Sequence, residues 1–286
     1  MSIRTRADRC PGARRPWEAD DGLLVRLRLI GGRLPSHALA ALMGVAEEHG
    51  DGRVQLTGRA NLQVRGLPGS AGALRPDVLA ALEATGLLPT RTHELVRNVM
   101  VSPLSGLCAP AAADGRPDLR PVAADLDRRL CAEGRLAALP GRFLFVLDDG
   151  RGDLVDRPCD LGLVALAPGT AQLRIGPAYG PVVALADAAA SLTALASDFV
   201  RRRGSGATAP WHVAELDRPL GPVLAPDPRI PEPLGPLPFG STPGGHHVAV
   251  PDGLLDRTGA DRLVAAAPEL VVTPWRGVLV PQEATR

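Results

Sequence analysis

Leu23, Val25, Leu27 and Leu29 fall on one face of an extended segment, and Arg26 and Arg28 fall on the other. Alternation at period two marks a strand with one buried face, and it commits the chain to building a layer over the apolar side. Gly31-Gly32 turns the chain. Ser36 is placed to cap a helix whose face carries Leu39, Leu42, Met43 and Ala46, and Gly50 ends it. Val54–Thr57 reads as the next strand, broken at Gly58 and resumed over Leu62–Arg65. A second helix follows Pro76, with Val78, Leu79 and Leu82 inward, and stops at Gly86.

This order predicts an α+β half domain of ferredoxin-like connectivity over residues 21–90, preceded by an arm at 1–20. Residues 91–216 read as a central α/β unit. Val122–Glu133 is helical there, Arg142–Leu147 is a strand, and Asp148-Asp149-Gly150 is a turn with the composition of a hairpin. Asp160–Leu166 and Gln172–Ile175 are further strands, a long Ala-rich helix covers 182–203, and His212–Leu216 is a short strand. Nine of the 29 prolines lie in 217–245, a density that excludes helix and central strand and marks a linker. Residues 246–286 return to the first pattern. "LVVTPWRGVLVP" (270–281) places strand, Thr, break, Arg and strand after a helix, as "VQLTGRANLQVRG" (54–66) does. Thr57 corresponds to Thr273, and Arg59 falls within one position of Arg276.

Net charge is +1 and aromatic residues are 3% of the chain, so neither a general field nor stacking platforms favour nucleic acid. All 32 basic residues are arginine, each a planar fork suited to carboxylates and oxyanions. No apolar run follows the basic N-terminus, and Asp187 and Asp198 interrupt the best apolar stretch. The expectation is a cytoplasmic chain with no membrane partner. Cys10, Cys108, Cys131 and Cys159 are too irregularly spaced to read as a metal site, and reduced structural thiols are expected. His246-His247 cannot ligate one ion from a strand, because adjacent side chains point to opposite faces.

Five segments together carry a resemblance to a known family. They are "DGLLVRLRLIGGRL" (21–34), "LTGRANLQVRGL" (56–67), "RNVMVSPLSGL" (97–107), "LPGRFLFVLDDGRGD" (139–153) and "TPWRGVLV" (273–280). In this order they resemble the nitrite/sulfite reductase ferredoxin-like half-domain family, which includes the sirohaem reductases and precorrin-3B synthase. The N-terminal "CPG…RPWEADDG" is most similar to the precorrin-3B synthase branch. The resemblance implies an α+β fold in which duplicated ferredoxin-like half domains flank a sirohaem-reductase-type α/β domain. It also implies an arginine-lined cavity that holds a tetrapyrrole. Arg59, Arg97, Arg142 and Arg276 are the candidates for binding its carboxylates, with Asn61 and Gln63 on one strand face beside them. Trp275 is a candidate ring contact and a better candidate for a core or interface residue.

The family uses a [4Fe–4S] cluster, and sirohaem in the reductases, with cluster cysteines C-terminal to the second half domain. The last cysteine here is Cys159, and no position matches a cluster cysteine, so a C-terminally truncated relative is expected. Leu144 stands where the reductases place a second basic residue of an "LPRKFK"-like strand. The resemblance therefore implies first a precorrin-3B synthase-like oxidoreductase that hydroxylates precorrin-3A at C20 and forms a lactone. The alternatives are a sirohaem nitrite/sulfite reductase relative and a non-catalytic tetrapyrrole-binding subunit. A separately encoded cluster-bearing half or an electron-donor protein is the implied partner.

Overall fold

The computed structural model describes residues 10–108, 115–167, 169–206 and 208–282. Residues 1–9 of the expected arm, with Arg4, Arg6 and Arg9, lie outside them. The chain divides into two compact units. One combines Cys10–Leu95 with Leu237–Arg286, and the other includes Val96–Pro236.

The N-terminal segment supplies β1 (Trp17–Ala19), β2 (Gly22–Leu27), β3 (Arg33–Pro35), α1 (Ser36–His49), β4 (Val54–Leu56) and β5 (Leu62–Leu67). A small hairpin of β6 (Gly69–Ser70) and β7 (Ala73–Leu74) leads into α2 (Pro76–Ala84). The other unit holds β8 (Val99–Val101), α3 (Arg120–Ala132), β9 (Phe145–Asp148), β10 (Leu161–Ala167), β11 (Thr170–Ile175), β12 (Ala178–Ala184) and α4 (Leu185–Arg203). The C-terminal segment supplies β13 (Gly240–Thr242), β14 (Gly245–Ala249), β15 (Leu254–Leu255), α5 (Arg257–Ala266), β16 (Glu269–Val272) and β17 (Gly277–Pro281).

In the first unit the N- and C-terminal segments build two sheets of the same plan. One runs β1-β2-β5-β4-β15 and the other β13-β14-β17-β16-β3. Each sheet thus takes its last strand from the other segment: β15 pairs with β4, and β3 pairs with β16. The crossing points have the same backbone. Gly31 and Gly32 have φ of 60° and 72°, and Asp252 and Gly253 have φ of 55° and 71°. A β-carbon on Gly32 would strike the Val272 carbonyl, and one on Gly253 would strike that of Leu56, so both crossings require glycine. Alternation along β2 and β5 puts Val25, Leu27, Leu62 and Val64 into a core shared with Leu39, Leu42 and Met43 of α1. Val78 and Leu82 of α2 and Leu263 of α5 belong to the same core. Ser36 is not the α1 cap. Pro35 precedes the helix as its cap residue, and the Ser36 hydroxyl donates to the Ala267 carbonyl at the end of α5.

The other unit is one sheet in the order β12-β11-β10-β9-β8, with α3 packed on α4 and α4 against β10 and β11. Its first three strands in sequence, β8, β9 and β10, are parallel, and β11 and β12 are antiparallel. Phe143 anchors the core, with ring centroids 5.2 Å from Phe145 and 5.0 Å from Phe199. Two expectations are corrected here. Asp148-Asp149-Gly150 does not close a hairpin, because β9 and β10 run parallel and need a crossover. Val213–Glu215 is a single 3-10 turn rather than a strand, its Val213 N–H held by the buried Asp160 carboxylate at 3.0 Å. Among the described residues no helix is long and apolar enough to cross a membrane.

Candidate functional site

The face of β2, β5 and β4 turned away from the helices is polar and covered. Arg26 lies opposite Gln63, and Gln63 opposite Gln55, so the three side chains form one row across the sheet. Arg26 Nη2 donates to Gln63 Oε1 at 3.0 Å, and Gln63 Nε2 donates to Gln55 Oε1 at 2.7 Å. Asn61 is buried beside the row, its Oδ1 taken by the Leu29 N–H at 2.9 Å.

Arg28 is the most deeply placed cation of this face, 3% exposed. Its Nη1 donates to the Pro11 carbonyl at 3.1 Å and the Arg26 carbonyl at 3.3 Å, while Nε and Nη2 have no partner. Arg26 Nε is likewise buried without one. Burial pushes the Arg28 pKa down to about 10; Cys10 pulls it back up, and Arg26 pushes it further down. Burial also lowers Arg26, again opposed by Cys10 and assisted by Arg59. Arg26, Arg28, Arg59 and Cys10 therefore share one electrostatic neighbourhood.

The cover is the segment after Cys10. Glu94 is buried and accepts the N–H groups of Ala13 at 2.7 Å and Arg14 at 2.8 Å, which ties that segment down. A side chain on Gly12 would meet Leu95 and Glu94.

Of the residues expected to bind a ligand, Arg59, Asn61 and Gln63 come together in this neighbourhood. Arg276 lies in the turn between β16 and β17 of the same unit, exposed and with a φ of 57°. The turn that carries it repeats the Arg59 turn bond for bond: Ala60 N–H to Thr57 O at 3.0 Å, Arg276 N–H to Thr273 O at 3.2 Å. In that register Thr57 matches Thr273, Arg59 matches Trp275, and Arg276 matches Ala60. The counterpart of Arg26 in the second sheet is His247, which is 1% exposed. Its ring nitrogens sit 3.1 Å from the Pro238 carbonyl and 3.0 Å from Thr273 Oγ1, and burial lowers its pKa.

Arg97 and Arg142 belong to the other unit. Arg97 is buried and forks onto Asp127, Nε to Oδ1 at 2.6 Å and Nη2 to Oδ2 at 2.8 Å. Arg142 is exposed and lies over the Trp211 ring, 4.7 Å from its centroid. Sequence reasoning passed over Arg26 and Arg28. Two arginines alternating with leucines on a strand were the available signal.

The four cysteines do not form a cluster ligand set. None of the four is in a disulfide, and among the described residues the group of close potential metal ligands is Asp148, Asp149 and Asp153. Cys159 is pushed up to about 11 by burial, the opposite of what a thiolate ligand needs.

The fold is a ferredoxin-like one related to the nitrite and sulfite reductases and the precorrin synthases. Residues 18–84 match the family described as Nitrite/Sulfite reductase ferredoxin-like half domain. The chain is 31% identical over 144 residues to Precorrin-3B synthase of Sinorhizobium sp, covering 49% of this chain and 28% of the relative. It is also 31% identical over 134 residues to Ferredoxin--nitrite reductase of Synechococcus elongatus, covering 46% of this chain and 26% of the relative. The matched regions thus span well under a third of these curated relatives. Among solved structures, the Mycobacterium tuberculosis NirA protein superposes with a TM-score of 0.66 at 20% identity, over 93% of this chain and 57% of NirA. At that identity the likeness shows the fold.

Proposed function

We propose that this chain binds a carboxylate-fringed tetrapyrrole on the arginine-bearing face of β2 and β5, as a non-catalytic relative of the sirohaem nitrite and sulfite reductases. The supporting observation is Arg28, a buried cation with Nε and Nη2 unpartnered. A desolvated guanidinium with two unpartnered donors is costly even with the Glu94 charge nearby, and one carboxylate that displaces the cover can accept both in a fork. Arg26 Nε, one step along the strand, offers a further donor. Gln63 holds the Arg26 guanidinium through Nη2 and leaves Nε for the ligand. Arg59, Asn61 and Gln63 are assigned to this same ligand. Arg276 is a further carboxylate partner by resemblance; Arg97 and Arg142, in the other unit, are candidates for carboxylate binding by resemblance alone, and Arg97 would have to leave Asp127 to serve.

The residues present do not fit a [4Fe–4S] cluster, and no step is routed through one. Sirohaem or a precorrin fits the donor set on the β2–β5 face through its peripheral carboxylates. The matching sheets and crossings further support reading residues 21–90 and 246–286 as duplicated half domains, with 91–216 as the central domain; of the expected linker 217–245, Gly240–Thr242 is β13 of the second sheet and residues 217–236 fall within the other unit. A second reading, oxidation of precorrin-3A at C20 with lactone formation, is favoured by the 31% identity to Precorrin-3B synthase.

Titration of the purified chain with a uroporphyrin-type octacarboxylate, followed by absorption and calorimetry, tests the binding. Binding that weakens by about tenfold or more (~1.4 kcal/mol) in Arg28→Gln, and that disappears with the esterified ring, is expected. Equal affinity for the acid and the ester overturns the proposal. Oxygen-dependent conversion of precorrin-3A in the presence of a reductant would replace the non-catalytic reading with the second one.

A further inference from the structure

Each sheet of the first unit has a short stretch of chain over its outer face, and each stretch runs directly into that sheet's first strand. Residues 237–239 precede β13, and residues 10–16 precede β1. A proline carbonyl from each meets a polar side chain below. That of Pro238 is 3.1 Å from His247 Nδ1 in β14, and that of Pro11 accepts Arg28 Nη1 at 3.1 Å just past β2. The two covers are fastened differently. Over the second sheet the Phe239 ring lies on His247 with centroids 4.4 Å apart, and Trp275 meets the same imidazole edge-on at 6.3 Å. A β-carbon on Gly277 would strike both His247 and Phe239, so that cover is packed shut. In the first sheet Arg26 and Arg59 stand where His247 and Trp275 stand in the second. The cover there, "CPGARRP", holds no aromatic ring, and its member of the hydrophobic core is the small Ala13. Polar bonds fasten it: the Ala13 and Arg14 N–H groups to the two oxygens of Glu94, and the Pro11 carbonyl to Arg28. Gly12 is fitted to this latch, since a β-carbon there would come within 2.9 Å of Glu94 Oε1 and against Leu95.

We infer that residues 10–16 are a lid over the arginine row, latched by Glu94, and that the ligand's carboxylates open it by taking Arg28 from the Pro11 carbonyl. What opens the lid rests on the tetrapyrrole reading; the latch does not. Packing such as that of Phe239 on His247 has no polar substitute, whereas a hydrogen bond is exchanged for another. A carboxylate offers Arg28 two charged oxygens in place of one neutral carbonyl oxygen, and its Nε and Nη2 are already without acceptors. In the closed state Arg26, Arg28 and Arg59 repel one another beneath the strap, and Glu94, the carboxylate that faces them, is shared with the strap's own N–H groups. An anion entering under the lid relieves that repulsion.

The test uses the full chain, first without ligand. Opening is read as hydrogen exchange at the Ala13 and Arg14 amides, and access as modification of Arg28 by phenylglyoxal, both located by peptide mass spectrometry. Glu94→Ala removes the latch, and Gly12→Val wedges it without changing any charge. Each is expected to speed both readouts by about tenfold or more, while the amides of β2 and β5 exchange as in the parent, which separates lid opening from unfolding. Faster exchange with Arg28 still unmodified overturns the inference, because something other than the strap would then close the face. Unchanged exchange in both variants overturns it as well. The uroporphyrin-type octacarboxylate is then added. It is expected to speed exchange at Ala13 and Arg14 in the parent, and to bind Gly12→Val severalfold more tightly. Binding that leaves those amides as slow as before overturns the lid and spares the tetrapyrrole reading. No binding to the parent or to Gly12→Val, with Arg28 made accessible in the first part, overturns the tetrapyrrole reading and spares the lid.

Discussion

Ala60 and Arg276 hold the same left-handed backbone position, with φ of 56° and 57°, at matching points of two strand–turn–strand units. A residue with a β-carbon is strained there by about 1 kcal/mol. The two differ in what the side chain does. Ala60 is 3% exposed and its methyl belongs to the core, whereas Arg276 is exposed. Arg276→Gly is expected to stabilise the chain by about 0.5–1 kcal/mol, as the relief of strain exceeds the added freedom of the unfolded chain. Ala60→Gly should gain nothing, because the lost methyl offsets the relief. Urea denaturation of both variants measures the contrast.

The legible part of this fold was its local periodicity. Leu23–Leu29, the α1 stripe and the two Thr-break-strand segments each carry their pattern within a dozen residues. The exchange of β3 and β15 between the sheets was not legible. Strands of three and two residues carry no periodic signal, and their partners lie some two hundred positions away. The candidate site was hidden for a related reason. Arginines alternating with leucines read as the wet side of a strand, and only the segment pinned by Glu94 turns that side into a covered one. The Asp148 turn failed on direction: turn composition says that the chain reverses locally and not whether the next strand is parallel.

Arg28 sets function against stability. Replacing a buried, half-partnered cation by an apolar chain of similar length removes its desolvation cost. Arg28→Met is expected to raise stability by about 1–3 kcal/mol at neutral pH. The native pKa, near 10, lies below the ordinary arginine value. The unfolded chain therefore holds the proton more tightly, and the cost of Arg28 is relieved only as pH climbs above about 10. The gap between variant and parent should be constant from pH 6 to 9 and should narrow beyond. A parent more stable than Arg28→Met without ligand would show that the cation has a native partner.

The Arg97–Asp127 fork predicts strong coupling. With Arg97 8% and Asp127 23% exposed at the side chain, removing one partner strands the other. Asp127→Ala is expected to cost about 3 kcal/mol, and the Arg97→Met/Asp127→Ala pair distinctly less than the sum of the single changes. A denaturation cycle over the four proteins measures this. Additive losses would mean that the fork contributes nothing beyond its parts.

Asp153 gives the chain a pH dependence near neutrality. Its Oδ1 accepts the Ser102 hydroxyl at 2.6 Å, and its Oδ2 is buried without a donor. Burial, then the neighbouring Asp148 charge, raises its pKa to about 7. In the unfolded chain this carboxyl ionises near the ordinary value of 3.8. Between those two pH values the folded state holds a proton that the unfolded state has released, so stability falls as pH rises through the window. Each pH unit there removes up to about 1.4 kcal/mol. Asp153→Asn keeps an acceptor for Ser102 and cannot ionise. It should match the parent near pH 4, exceed it increasingly from pH 5 to 7, and hold a constant advantage above pH 8. Calorimetric midpoints of the two proteins across that range provide the measurement, and parallel curves would place the Asp153 pKa in the ordinary carboxylate range.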